Sequence, residues 1–319
     1  MQRTAEFDAF GPWVDEVTDV GGIPQLFRSH PIDLTSALLA IKIPRNISRR
    51  DADPSMDLYD HLIVVDETGV TILSRVVDPR VRAGAVPAPP FTTRVLTWSE
   101  VTGVTVSTEF VDGLLTLHTT GAAVTVPFNG SSVSTVDRLV ALVRSRYGAG
   151  VTSVGDAGQV RRAGDPDAPR ASTGLPDVER ELQGVHRRVL SDEPQMRHLT
   201  TQQRTTVRWT HPRALVRLAK NLWPTAVQTS LAYTDGRELL VVHRRDAVVR
   251  GHKPVYSIAR TALRVDSITG TDIADSAELV GVRILTLHLG DATIELLFTA
   301  GSIAPELLAA RLDRAAHTV

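Results

Sequence analysis

One short passage of this chain occurs twice, and that repetition restricts its possible folds more than any other feature. Leu114-Leu115-Thr116-Leu117-His118 returns as Ile284-Leu285-Thr286-Leu287-His288, and the match runs on without a gap at an offset of 170. Seven of the nineteen positions in 114–132 are identical to their counterparts in 284–302. Upstream, Thr102-Gly103 matches Thr269-Gly270 and Gly69 matches Gly236 at an offset of 167. The change of offset places a three-residue insertion in the loop before Ile284. Earlier still, His30-Pro31 and Pro44 echo His211-Pro212 and Pro224. A period of this size in 319 residues predicts two tandem copies of one folding unit.

Each copy reads as antiparallel sheet followed by helix. Leu62 to Val65 and Val70 to Leu73 are strands joined by the turn Asp66-Glu67-Thr68-Gly69, where Gly suits a positive φ. After the Pro-rich stretch Val86-Pro87-Ala88-Pro89-Pro90 come strands at Arg94 to Trp98 and Val101 to Thr108. In the last two strands of the copy, Leu115 and Leu117 face one way and Thr116 and His118 the other. Val124, Val126 and Phe128 point inward, against Thr125 and Pro127. That period-two alternation predicts a half-buried sheet.

Ser134 with Asp137 suggests a capping box for the helix that follows, and Gly148 suggests its end. In the second copy Pro305 suits a first helical turn, with Leu308, Leu312 and Ala315 as the apolar stripe. Between the copies, Gly148 to Thr173 is rich in Gly, Ala, Asp and Pro and predicts a mobile linker. Pro176 to Leu190, with Val178, Leu182, Val185 and Val189 in step, predicts an amphipathic helix. The expected division is a first unit over 1–147, a linker over 148–175 and a second unit over 176–319.

The succession Trp98-Ser99-Glu100-Val101-Thr102-Gly103, strand, Leu114 to Leu117, turn, Val124 to Phe128, helix resembles the second half of a bacterial pleckstrin-homology-like (PH-like) domain. The resemblance covers about 90 residues of each half. It implies an α+β, mainly β fold: two tandem PH-like antiparallel β-barrels, each capped by a C-terminal α-helix. Two open sheet-plus-helix units sharing one continuous sheet is the alternative. The family implies a scaffold for lipids, peptides or sister subunits without intrinsic chemistry. The first hairpin loops, Asp66-Glu67-Thr68-Gly69 and Thr234-Asp235-Gly236-Arg237, lack the basic residues of its lipid-binding members.

Composition narrows the function classes. Apolar residues make up 42%, so a sizeable core is expected, and the net charge of −1 gives no global pull toward nucleic acid or membrane. Cysteine is absent, which removes disulfides, thiolate metal sites and cysteine nucleophiles. The first residues lack the apolar stretch of a signal peptide, and the run Ala37 to Ile41 is too short to span a bilayer. The expected location is the cytoplasm. No Gly-x-Ser-x-Gly, His-Glu-x-x-His or phosphate-loop motif occurs. Gly148-Ala149-Gly150 follows a helix rather than a strand, so it is no dinucleotide fingerprint. Neither an enzyme nor a cofactor is expected.

The leading candidate site is cationic. From Pro194 to Thr234 there is no Asp or Glu, while Arg197, Arg204, Arg208, Arg213, Arg217 and Lys220 fall within it. Between Pro212 and Pro224 a helical wheel groups Arg213, Arg217, Lys220 and Asn221, with Ala214, Leu215, Leu218 and Leu222 opposite and Trp223 at the end. Such a helix suits an anionic membrane or an acidic partner. The plainer alternative is a surface helix that packs its leucines on the barrel, its charges solvated or answered by Asp156, Asp165 and Asp167 of the linker.

A second cluster, His243-Arg244-Arg245 with Arg250, His252 and Lys253, offers Arg244 and Arg245 as forks for phosphate or carboxylate, or is a charged inter-strand loop. Few aromatics accompany these cations, so nucleic acid is not an expected partner. Asp51, Asp53 and Asp57 could hold a hard cation, though the spacing is not that of an EF-hand and a solvated loop is the simpler reading. His118 and His288, on the polar phase of matching strands, read as exposed structural histidines. The leading expectation is therefore a non-enzymatic module for protein–protein interaction or self-association. The alternatives are an anionic-membrane module using the cationic helix and, more remotely, a metal-dependent enzyme using the Asp51/Asp53/Asp57 loop.

Overall fold

The computed structural model describes residues 4–76, 90–149, 180–251 and 256–316. The chain divides into two compact units, Met1–Tyr147 and Gly148–Val319. The 150–175 part of the expected linker, Val86 to Pro89 of the Pro-rich stretch, Pro176 to Val178, His252 and Lys253 lie outside the described residues.

The first unit opens with α1 (Ala5–Ala9), β1 (Asp15–Glu16) and β2 (Leu39–Pro44), then β3 (Tyr59–Val65), β4 (Gly69–Arg75) and β5 (Phe91–Thr97). These five strands form one antiparallel sheet in sequence order. Strands β6 (Val101–Glu109), β7 (Asp112–Thr119) and β8 (Val124–Asn129) pair in turn, and α2 (Val133–Ala149) follows. The apolar interior of the unit gathers Phe10, Phe27, Leu58, Tyr59, Leu62 and Leu73 against the sheet. Ion pairs Arg138–Glu16 and Arg146–Glu67 tie α2 to the strands and turns beneath it.

The second unit begins with α3 (Arg180–Asp192), β9 (Arg197–Gln202), β10 (Thr205–Trp209), α4 (Ala214–Asn221) and β11 (Thr225–Val227). It continues through β12 (Ser230–Thr234), β13 (Glu238–His243), β14 (Val248–Arg250) and β15 (Ile258–Arg264). It ends in β16 (Gly270–Asp275), β17 (Leu279–Val280), β18 (Val282–Leu289), β19 (Ala292–Thr299) and α5 (Ala304–Ala316). Within it the pairings run β9-β12-β13-β15, β14-β11-β10-β17 and β16-β18-β19. Leu239, Leu263, Leu285, Leu287, Leu308 and Leu312 share its core.

The mainly β, antiparallel expectation holds, and no described sheet closes into a barrel. Closure requires the first and last strands of a sheet to pair at a consistent stagger. In the five-stranded sheet β1 and β5 are instead the two edges, and β1 is only two residues long.

The repeated passages take the same register. Leu115 faces Val126 and Leu117 faces Val124, as Leu285 faces Leu296 and Leu287 faces Ile294. Gly103 opposes His118 and Gly270 opposes His288. His118 Nε2 lies 2.7 Å from Thr105 Oγ1, and His288 Nε2 lies 2.7 Å from Asp272 Oδ2, so both rings bridge neighbouring strands.

Local details differ from expectation. Helix α2 starts before Ser134, after a 3-10 turn capped by Asn129 Oδ1, and Gly148 lies inside the helix rather than at its end. Gly69 is required by a close approach, since a Cβ there would meet Leu96 O at 1.9 Å, whereas its counterpart Gly236 does have the left-handed φ of +94°.

A candidate docking helix with an outward leucine stripe

Helix α4 sits between Pro212 and Pro224 and packs beside the end of β10. Its attachment is polar. Asn221 Oδ1 accepts from Trp209 N at 2.9 Å, and Asn221 Nδ2 donates to Trp209 O at 3.0 Å. A side-chain amide thereby completes the backbone hydrogen bonding of a strand end. Trp209 is in turn fixed by its indole N–H, which donates to the buried Thr225 Oγ1 at 2.9 Å. Lys220 Nζ lies over the Trp209 ring, 4.5 Å from its centroid, and Arg250 Cζ lies 4.8 Å from it.

Register explains why these groups meet. Arg250 pairs with Thr225, Thr225 pairs with Val207, and Trp209 lies two residues further along β10. Directly paired and i+2 residues share one face of a sheet. Arg250, Thr225 and Trp209 therefore present a common face, and α4 brings Lys220 to it.

With Lys220 and Asn221 turned inward, the opposite side of the helix faces out. Leu215 is 81% exposed, Leu218 65%, Leu222 69% and Trp223 66%. The plainer alternative, in which these leucines pack on the barrel, is thus overturned. Lys220 and Asn221 are the side chains that meet Trp209, and the leucines project away from them. Arg213 and Arg217 are exposed on the side of the helix away from the leucines, with Arg217 Nη1 donating to His211 O at 3.4 Å. Among the described residues no carboxylate forms an ion pair with Arg213, Arg217, Lys220 or Arg250. Asp156, Asp165 and Asp167 lie outside the described residues.

The second basic cluster does not form a surface fork. Arg244 is 2% exposed and donates through Nη1 to Ser257 O at 2.9 Å; Arg245 is half-buried, its backbone N–H on Ser257 Oγ at 3.0 Å. A guanidinium sealed under the surface holds a loop together and cannot meet a partner there. His243 bridges Arg244 O and Thr261 Oγ1, and burial pushes its pKa down. Of the cluster's described residues, Arg250 joins the α4 group, a convergence the sequence could not signal because Trp209 and Arg250 are distant along the chain.

Two carboxylates of the acidic loop are engaged locally. Asp51 accepts from Ser48 Oγ, and Asp53 accepts from both N and Oγ of Ser55, which hold its pKa low. Among the described residues no group of three His, Cys, Asp or Glu side chains is placed to hold a metal ion, and no described helix is long and apolar enough to cross a membrane. No family model, curated protein or solved structure matches the chain.

Proposed function

We propose that the chain is a docking module, not an enzyme, and that α4 is the element by which it rests on an anionic membrane surface. The outward turn of Leu215, Leu218 and Leu222 carries this reading. Burying a leucine fully contributes roughly 1.5–3 kcal/mol. The inward Lys220–Trp209 contact contributes about 0.5–1 kcal/mol at an exposed site. The fold therefore leaves more apolar free energy outside α4 than it recovers inside. A bilayer interface takes up that stripe, seats Trp223 at headgroup level and gains about 1 kcal/mol from each of Arg213 and Arg217. Attachment is weak, reversible and salt-sensitive. Co-sedimentation with anionic and neutral vesicles across a salt series tests it. Binding confined to anionic vesicles, weakening with salt and lost in Leu215→Ser/Leu218→Ser/Leu222→Ser, is expected; no binding at low salt overturns it.

Self-association through the same stripe, the other use of three exposed leucines, predicts instead a mass that rises with concentration in light scattering and falls in that triple variant. We also infer that β6-β7-β8-α2 and β16-β18-β19-α5 are copies of one PH-like module. Their common register and succession support this; the open sheets mean that it rests on the module and not on a barrel.

A further inference from the structure

We infer that β5 is a self-complementary sheet edge, to which a second copy of this chain adds its own β5, antiparallel and about a two-fold axis at Thr93. Strand β5 is an outer strand of the five-stranded sheet and is seven residues long. It pairs with β4 from Arg75–Phe91 to Gly69–Thr97 without a break in register. Exposed edges are ordinarily blunted by shortness, a bulge, Lys or Pro. The opposite edge, β1, is two residues long, whereas β5 carries none of these devices. Parity fixes which main-chain groups it offers. Val76 N donates to Pro90 O at 2.9 Å and Trp98 N to Thr68 O at 3.3 Å, so the even-numbered residues of β5 turn their N–H and C=O toward β4. Phe91, Thr93, Val95 and Thr97 turn theirs outward. Thr97 is satisfied locally, its N–H donating to Glu100 Oε2 at 2.8 Å and its O accepting from Glu100 N at 3.0 Å. Among the described residues no hydrogen bond reaches the main-chain groups of Phe91, Thr93 or Val95.

Outward groups at alternate positions are what an added strand pairs with, and Thr92, Thr93, Arg94 and Val95 are all exposed beside them. A second β5 matches this edge residue by residue. Turned antiparallel about Thr93, it sets Thr93 against Thr93 and Phe91 against Val95 of the other copy, the latter twice by symmetry. These are hydrogen-bonded pairs, each exchanging two N–H···O bonds. Thr–Thr and aromatic–β-branched neighbours are both favourable across strands. Phe91 is already held in place by its edge-on contact with Phe27, 5.5 Å between ring centroids, and Val95 is 60% exposed. The one charged side chain of the strand, Arg94, falls opposite Thr92 of the other copy and not opposite itself, so no like charges meet directly. The leucine stripe of α4 takes no part in this contact.

Sedimentation velocity of the full chain at rising concentration, without lipid, tests it. A monomer giving way to a dimer is expected. Thr93→Pro removes both N–H donors of the central pair, leaves the bonds to β4 in place and should weaken the dimer at least about ten-fold. Thr93→Lys and Thr93→Glu each set like charges across the axis and should weaken it about five-fold, while an equal mixture of the two should recover it. These charged variants keep the main chain intact, so they decide the matter if Thr93→Pro disturbs β5 itself. Leu215→Ser/Leu218→Ser/Leu222→Ser should leave this dimer unchanged, which separates it from association through α4. A monomer at every concentration, a dimer as tight in Thr93→Lys and Thr93→Glu as in the original chain, or charged variants that fail to recover on mixing overturns the inference.

Discussion

Helices α2 and α4 carry apolar residues at one and the same spacing and use them in opposite ways. In α2, Val136, Leu139 and Val143 are all buried. In α4, Leu215, Leu218 and Leu222 repeat the i, i+3, i+7 pattern and all three are exposed. A stripe of this kind ordinarily marks the face a helix turns to its core. What separates the two is the surface underneath. The stripe of α2 is sealed within the first unit, whereas the strand beside α4 ends in Trp209, whose backbone requires hydrogen bonds and whose ring receives a cation. Periodicity thus establishes that a face exists and leaves open what covers it.

The largest expected effect tests the buried side. Leu139→Ala should cost about 2–5 kcal/mol in denaturant unfolding, while Leu218→Ala should change stability by less than about 0.5 kcal/mol. Comparable losses at the two sites would mean that the α4 stripe is packed and would remove the basis for docking.

Next comes the anchor that makes α4 differ. Asn221→Ala removes both side-chain bonds to Trp209 and should cost about 1–3 kcal/mol, read as faster hydrogen exchange across 214–221 with the first unit unchanged. Unaltered exchange there would show that something other than Asn221 orients the helix.

Helix α3 provides a third case, fixed by rings. Its His186 Nδ1 lies 2.7 Å from Tyr233 OH, and the His186 and His198 rings are 5.5 Å apart. Burial lowers the pKa of both, and for His198 the neighbouring His186 adds to the effect. A base depressed in the folded state takes its proton first in the unfolded chain. Stability of the second unit is therefore complete above the ordinary histidine value of 6.5 and declines as pH falls below it. Thermal melts from pH 7.5 to 5 should show that decline, reduced in His186→Gln; an unchanged slope in the variant would assign it elsewhere.

The smallest effect is expected at Tyr59, which is 1% exposed and whose hydroxyl has no hydrogen-bond partner among the described residues. Lys42 lies over its ring, and burial raises the pKa of the phenol. Tyr59→Phe should be neutral to slightly stabilising, because an unsatisfied buried polar group costs free energy to keep. A loss above about 1 kcal/mol would reveal a partner for that hydroxyl.

Much of the architecture was legible in the residues. The alternation of Leu115, Thr116, Leu117 and His118 foretold a strand with one buried face, and Pro305 with Leu308 and Leu312 foretold a docked helix. Ends were harder to read. Ser134 resembled a cap, but Asn129 initiates the turn leading into α2, because a 3-10 turn intervenes. At the candidate site the sequence supplied Arg213, Arg217, Lys220 and the leucines as two faces of a helix. It also offered Arg244 and Arg245 as equals of Arg250, although one is buried and one half-buried.

Local spacing and composition thus determined on their own that strands alternate, that helices are amphipathic, that a passage recurs at 170 residues and that cysteine chemistry is excluded. These follow from the fixed periods of strand and helix and from which atoms are present. The tertiary structure alone decided that the described sheets stay open, that Arg244 is sealed, that Lys220 and Arg250 share one indole and that the leucines of α4 point outward. Each of these depends on which distant residues a strand register brings together, and nothing in a short stretch of sequence specifies that.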